Sequence, residues 1–169
     1  MKLFRRKKLT DIYTEYNEKI STLGVNFFDS IPYGKKEYKA EILIFFNDAI
    51  LNSDSKKLTF CIGASFRDGI DYDYIEFFEK TILADWHEEY EDIVDIIYQF
   101  KDNRFSNALN EIAMNESKYR KYDDENESTL RKCVHALKAI DSEQSNNILE
   151  NLRKTKNPNI ENALEMYNK

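Results

Sequence analysis

Residues 92–112 read DIVDIIYQFKDNRFSNALNEI and residues 132–152 read KCVHALKAIDSEQSNNILENL. Laid over one another without a gap, Ile93 falls on Cys133, Val94 on Val134, Ile97 on Leu137 and Phe100 on Ile140. The polar turns Lys101-Asp102-Asn103 and Asp141-Ser142-Glu143 then coincide, followed by Ala108 on Ile148, Leu109 on Leu149 and Ile112 on Leu152. Apolar residues three and four apart mark one face of a helix, so each stretch predicts a helix, a tight turn and a second helix. A generic helix bundle also spaces its apolar residues this way. A helix pair with so short a turn, recurring at about forty residues, is the stronger match to HEAT and armadillo repeats, which bury their faces only by stacking on a neighbour. A third half-unit is predicted from Pro158, where Ile160, Ala163, Leu164 and Tyr167 match Leu130, Cys133, Val134 and Leu137 at a shift of thirty. Between the first two units, Asn115 to Asn126 read as an insertion.

Upstream of Trp86 the chain is helical but not repetitive. Thr10 to Leu23 is weakly helical with Gly24 as its stop, and Ile31-Pro32-Tyr33-Gly34 is a break. Lys35 to Asn52 carries Tyr38, Ile42, Phe45, Phe46, Ala49 and Ile50 on one stripe. Leu43, Ile44 and Leu51 widen it, which predicts a central helix. Ser53 or Asp54 is placed to cap the next helix, which passes Leu58, Cys61, Ile62 and Phe66 and ends at Asp68-Gly69. Asp71 or Asp73 is placed to cap another, through Ile75, Phe77, Phe78, Ile82 and Leu83. The expectation is therefore one all-α domain over 1–169: a less regular segment at 1–34, a helical part at 35–85 and HEAT-like repeats at 86–169, wound as a right-handed α-α superhelix (solenoid) of antiparallel helix pairs.

Composition agrees. Four glycines and two prolines in 169 residues are too few for the hairpins of a sheet protein, whereas eleven Phe, eleven Tyr and 33% charged residues suit amphipathic helices. Cys61 and Cys133 lie in apolar-periodic stretches without CxxC spacing and read as buried free thiols. The start MKLFRRKKLT is basic, but Asp11, Glu15 and Glu18 interrupt any apolar stretch after it, and no apolar run reaches the length of a membrane span. A cytoplasmic protein is expected.

Once these residues are assembled, Phe66-Arg67-Asp68-Gly69, Leu83-Ala84-Asp85-Trp86-His87 and Glu91-Asp92-Ile93-Val94 resemble a family of bacterial HEAT-repeat proteins associated with polymorphic toxins as their cytoplasmic immunity partners. The resemblance continues into Tyr122-Asp123, Arg131-Lys132-Cys133 and Ala136-Leu137, covering roughly residues 60 to 155. It departs at Tyr90, His135 and Lys138, where His, Trp and Gly are common in the family. The resemblance implies stoichiometric binding and neutralisation of a cognate toxin domain, with no catalysis and no cofactor. A general HEAT-type binding scaffold without a toxin is the alternative, and an enzyme of helical fold is a third reading.

The residues carry little catalytic signal. His87-Glu88-Glu89-Tyr90-Glu91 begins like HExxH but ends in Glu91 where the metal motif needs a second His, so no metal site is expected. There is no glycine-rich phosphate loop and no GxSxG elbow. His87 reads first as a structural residue beside Trp86, and Trp86 as core. Charge is more telling: Asp68 to Glu127 holds eighteen acidic against six basic residues, while Met1 to Lys36 holds eight basic against four acidic. Glu88, Glu91, Asp92 and Asp95 form one stripe whose mutual repulsion opposes the isolated helix, to be offset by the macrodipole, the basic N-terminal segment or a cationic partner. Such a surface disfavours nucleic acid and favours a basic protein partner. Tyrosine beside acid recurs at Asp71-Tyr72-Asp73-Tyr74, Glu89-Tyr90-Glu91 and Lys121-Tyr122-Asp123-Asp124. Tyr is enriched at interface hot spots. The candidate partner-binding residues are thus Asp71, Tyr72, Asp73, Tyr74, His87, Glu88, Glu91, Asp92, Asp95, Tyr119, Tyr122, Asp123 and Asp124.

Overall fold

A computed structural model describes residues 6–31 and 36–166, and every regular element among them is helical. The break at Pro32 to Gly34, the start at Lys35 and the final Tyr167 lie outside the described residues. The chain divides between Asp71 and Tyr72 into two compact units, a boundary inside the 35–85 stretch that the sequence presents as one part.

The first unit holds α1 (Leu9–Leu23), a 3₁₀ turn (Gly24–Ser30), α2 (Lys39–Asn52) and α3 (Ser55–Asp68). Gly24 ends α1 at φ 54°, and Ser53, at φ 50°, ends α2. Asp54 caps α3 by accepting from the Lys57 N–H at 2.9 Å. Gly69 follows α3 at φ 99°, a positive value that favours glycine although it is not the left-handed helical conformation. Aromatic rings fill the interior: Tyr13, Tyr16, Phe28 and Phe45 all pack against Phe60, at centroid distances from 4.9 to 6.1 Å. α2 buries Ile42, Phe46 and Ala49, but Ile44 and Leu51 are 67% and 75% exposed. The helix is apolar around most of its circumference, as expected, but one apolar side of it is exposed rather than buried at the centre of the unit.

The second unit contains α4 (Ile75–Thr81), α5 (Tyr90–Phe100), α6 (Ser106–Met114), the single turn α7 (Glu116–Tyr119), α8 (Ser128–Ile140), α9 (Glu143–Arg153) and α10 (Pro158–Glu165). Tyr74 occupies the N-cap position of α4 without a side-chain cap bond, at the end of a 3₁₀ turn (Tyr72–Tyr74) that begins directly after Asp71. The first helix of the stretch assigned to repeats from residue 86 starts only at Tyr90, and Trp86 is half-buried in the preceding segment.

Five of the seven pairs aligned at forty residues are buried on both sides: Ile93 and Cys133, Val94 and Val134, Ile97 and Leu137, Leu109 and Leu149, and Ile112 and Leu152; Phe100 and Ala108 are buried, but their counterparts Ile140 and Ile148 are only half-buried. α5 packs on α8, α6 packs on both α8 and α9, and α10 packs on α8. Each fully buried Ile or Leu contributes roughly 1.5 to 3 kcal/mol. The turns match as well: Lys101 and Asp141 end their helices at φ 53° and 50°, each donating its N–H to the carbonyl four residues back at 3.3 Å. Asp102 and Ser142 then cap the next helical turn of each pair, accepting from the N–H groups of Arg104 and Ser145. These turns lie side by side, since the Asn103 amide donates to Gln144 at 2.9 Å and accepts from the Ser142 hydroxyl. The half-unit at Pro158 is present as α10, capped by Asn157, with Ile160, Ala163 and Leu164 buried.

Candidate protein-binding cleft

The insertion is built around Arg120. Its side chain is only 6% exposed, with Nε donating to the Ile112 carbonyl at 3.2 Å and Nη1 lying 3.4 Å from Asp123 and 3.0 Å from Glu127. Asp123 in turn accepts from the N–H groups of Thr129 and Leu130, at 3.0 and 3.3 Å, capping α8 from a distance in sequence. Burial pushes the Glu127 carboxyl up, but hydrogen bonds from Asn159, Asn157 and Arg120 outweigh it and leave the group below its ordinary value. The Arg120 guanidinium thus ties α6 to the loop and to the N-cap of α8, and the Glu127 carboxylate extends the tie to Asn157 and Asn159 at the start of α10.

The segment before α5 is held by His87, which is 2% exposed. Nε2 donates to the Thr81 carbonyl at 2.8 Å and Nδ1 accepts the Glu89 N–H at 3.0 Å, which fixes the neutral Nε2–H tautomer. Burial accordingly lowers its pKa, against the hydrogen bond to Thr81. The ring packs edge-on to Trp86 and 4.8 Å from Tyr90, whose hydroxyl donates to the Ala84 carbonyl at 2.7 Å. His87 therefore sets the shape of this segment and presents no ring atom for contact, a correction to its place among the candidate surface residues.

These two anchored segments face one another across a cleft of about 190 Å³. Glu88, Glu91 and Asp92 line one side, and Tyr119, Tyr122 and Asp123 the other. Six of the thirteen candidate residues are thus brought together. Tyr119 is buried edge-on against Tyr90 at 5.0 Å and Asp123 is committed to Arg120, so both are supports. Tyr122 is 77% exposed, and Asp124 is exposed beside it. The remaining candidates lie elsewhere. Asp71 pairs with Lys36 and, at 2.8 Å, Lys39; the Tyr72 hydroxyl donates to the Phe100 carbonyl; Tyr74 is fully buried; Asp73 is exposed outside the cleft. Asp95 lines a separate cavity of about 350 Å³ with Tyr98, Lys132, His135 and Met166.

The acidic stripe has counter-ions of its own. Lys132 lies 3.1 Å from Glu91 and 3.9 Å from Asp95, and Lys121 lies 2.6 Å from Glu88. The sequence by itself leaves the offset to the macrodipole, the basic N-terminal segment or a cationic partner. The missed signal was the register: the stripe Glu91, Asp92, Asp95 falls at forty residues on Arg131, Lys132, His135, so an acidic face packs beside a basic one. Burial raises the Asp92 carboxyl above the ordinary carboxylate value; Lys132 opposes this, and Glu91 and Asp95 add to it.

No family model, curated protein or solved structure matches this chain. Both thiols are buried and burial raises their pKa values, so each stays protonated and shielded. Among the described residues, no group of three or more His, Cys, Asp or Glu is placed to hold a metal, and no helix is long and apolar enough to cross a membrane.

Proposed function

We propose that this chain is an immunity protein: a HEAT-like stack of helix pairs that binds a cognate bacterial toxin domain, nuclease-type or otherwise basic, in the cytoplasm and blocks it stoichiometrically. The observation that carries the reading is the cleft between the α5 N-terminus and residues 115–126, where exposed Tyr122 stands beside Glu88, Glu91 and Asp92. A tyrosine at the edge of a carboxylate-lined cleft offers an amphipathic anchor and an electrostatic complement to an Arg or Lys of the partner. The superhelical reading draws support from the side-by-side turns at Asn103 and Ser142 and from the paired burial at a forty-residue shift. The link to a toxin draws on the resemblance over residues 60 to 155.

Co-expression with any small basic toxin domain encoded by a neighbouring open reading frame is the test. Rescue of growth and a stoichiometric complex are expected, with Tyr122→Ala plus Asp92→Asn weakening the complex at least about tenfold and added salt slowing association. A neighbouring toxin domain that is neither bound nor neutralised sinks the proposal. A neighbourhood without a secreted toxin, together with a bound cellular protein, favours the general scaffold.

A further inference from the structure

We propose that the outward side of α2 packs antiparallel on the same side of a second copy of this chain, forming a weak homodimer. At about 100° per residue, Ile42, Phe46 and Ala49 hold the buried side of this helix, and Ala40, Ile44, Asn47 and Leu51 form a seam along the opposite side. All four are exposed, Ile44 and Leu51 by 67% and 75%. On a surface helix that side ordinarily carries charged and polar residues. Here it carries two large aliphatic side chains, an alanine and a single amide.

The occupant follows from the spacing. Steps of four, three and four residues read the same in both directions, so a two-fold axis across the midpoint lays the seam on itself, as an isologous interface requires. Ala40 then meets the partner's Leu51, small against large, and Ile44 meets the partner's Asn47. The two Asn47 side chains stand about 4.5 Å apart along the helix, close enough for an amide pair that fixes the register. A parallel pairing would set alanine on alanine and align the helix dipoles, leaving a void and a repulsion. Half-buried Leu43 and Ile50 widen the seam on one flank. On the other, Asp48 and Glu41 are paired with Lys57 and Arg6 of their own copy, so contact strands no bare charge. The seam is only about 16.5 Å long. That falls short of the roughly 800 Å² per partner of a stable interface, so a dissociation constant on the order of 100 µM is expected.

The dimer requires neither a toxin nor the acidic cleft. In sedimentation equilibrium of the full chain from about 10 µM to 1 mM, the weight-average mass should rise from one chain toward two. Ile44→Glu plus Leu51→Glu should weaken association at least about tenfold and leave the helical circular dichroism unchanged, because both side chains point into water in the single chain. Orientation is read by oxidising cysteine variants with diamide. Ala40→Cys mixed with Leu51→Cys should give a linked pair, whereas Leu51→Cys alone should not, its two thiols lying about 16.5 Å apart. Cys61 and Cys133 are buried and do not compete. A chain that stays monomeric over this range, a dimer indifferent to the Glu changes, or a Leu51→Cys variant that links to itself overturns the pairing. So does a monomer whose Ile44 and Leu51 resist hydroxyl-radical labelling, since its own chain then covers the face.

Discussion

Lys132 lies forty residues beyond Asp92, and its ammonium sits 3.1 Å from Glu91 Oε1 and 3.9 Å from Asp95 Oδ2. The second helix pair therefore supplies the charge that the first lacks. These groups are about a third to a half exposed, so Lys132→Ala should cost no more than about 1 kcal/mol. Lys132→Glu should cost more than alanine, and urea unfolding at low and high salt should show that difference shrinking as salt screens it.

Arg120 stands at the other extreme. It is buried, and its removal leaves Asp123 and Glu127 without their shared cation and the Ile112 carbonyl without its side-chain donor. Arg120→Ala should destabilise the second unit by about 3 kcal/mol or more. Arg120→Lys should not restore it, because a single ammonium does not span three acceptors as a guanidinium does. Denaturant unfolding followed near Trp86 measures both.

The pH dependence of stability should report His87. Its folded pKa lies below the ordinary 6.5, so the unfolded chain takes up a proton first as pH falls. Stability from this ring is fully present above about 6.5 and is lost as pH drops toward the folded value. His135 is lowered too, through burial and despite a hydrogen bond to Ala163, and adds in the same direction. Unfolding midpoints should fall between pH 7 and 5, and His87→Leu should flatten part of that slope. At pH 7 it should cost about 1 to 3 kcal/mol by removing the ring's bonds to the Thr81 carbonyl, which keeps the Ala84 N–H, and to the Glu89 N–H.

Lys101 ends α5 in a left-handed conformation that a side chain disfavours. Lys101→Gly should raise stability by about 1 kcal/mol. Asp141→Gly should gain less, because the Asp141 carboxylate accepts from the Asn146 amide at 3.1 Å. Thermal melts of the two variants rank them.

In the first unit, a methyl group on Gly63 would lie 2.3 Å from the Phe28 ring. Gly63→Ala should therefore cost about 1 to 3 kcal/mol through overpacking. Phe28→Leu on that background should recover part of the loss, which a double-mutant cycle would detect. An additive result would show that the close approach is relieved elsewhere.

The helix pairs could be read in advance because α5, α6, α8 and α9 each announce themselves twice, by apolar spacing and by coincidence at forty residues. Elements resting on a single local signal fared less well. Asp71 and Asp73 looked like caps for α4, but Asp71 meets Lys36 and Lys39, which lie more than thirty residues away. Ile44 and Leu51 looked like core, yet hydrophobicity does not say which side of a helix has a neighbour. Trp86 looked like the start of the repeats, whose first helix His87 delays to Tyr90 by drawing the chain onto Thr81.

Local propensity and a repeating apolar pattern were enough to fix helix class, turn positions and the pairing of core residues, since these depend on neighbours in sequence and on a period the chain displays openly. The roles of the polar residues were settled by folding alone. Tyr119 and Asp123 became supports, Tyr122 stayed on the surface, and Glu88, Glu91 and Asp92 met the insertion across a cleft. Packing decides which of two identical side chains is desolvated and paired, and burial makes one carboxylate structural while leaving another exposed at the surface.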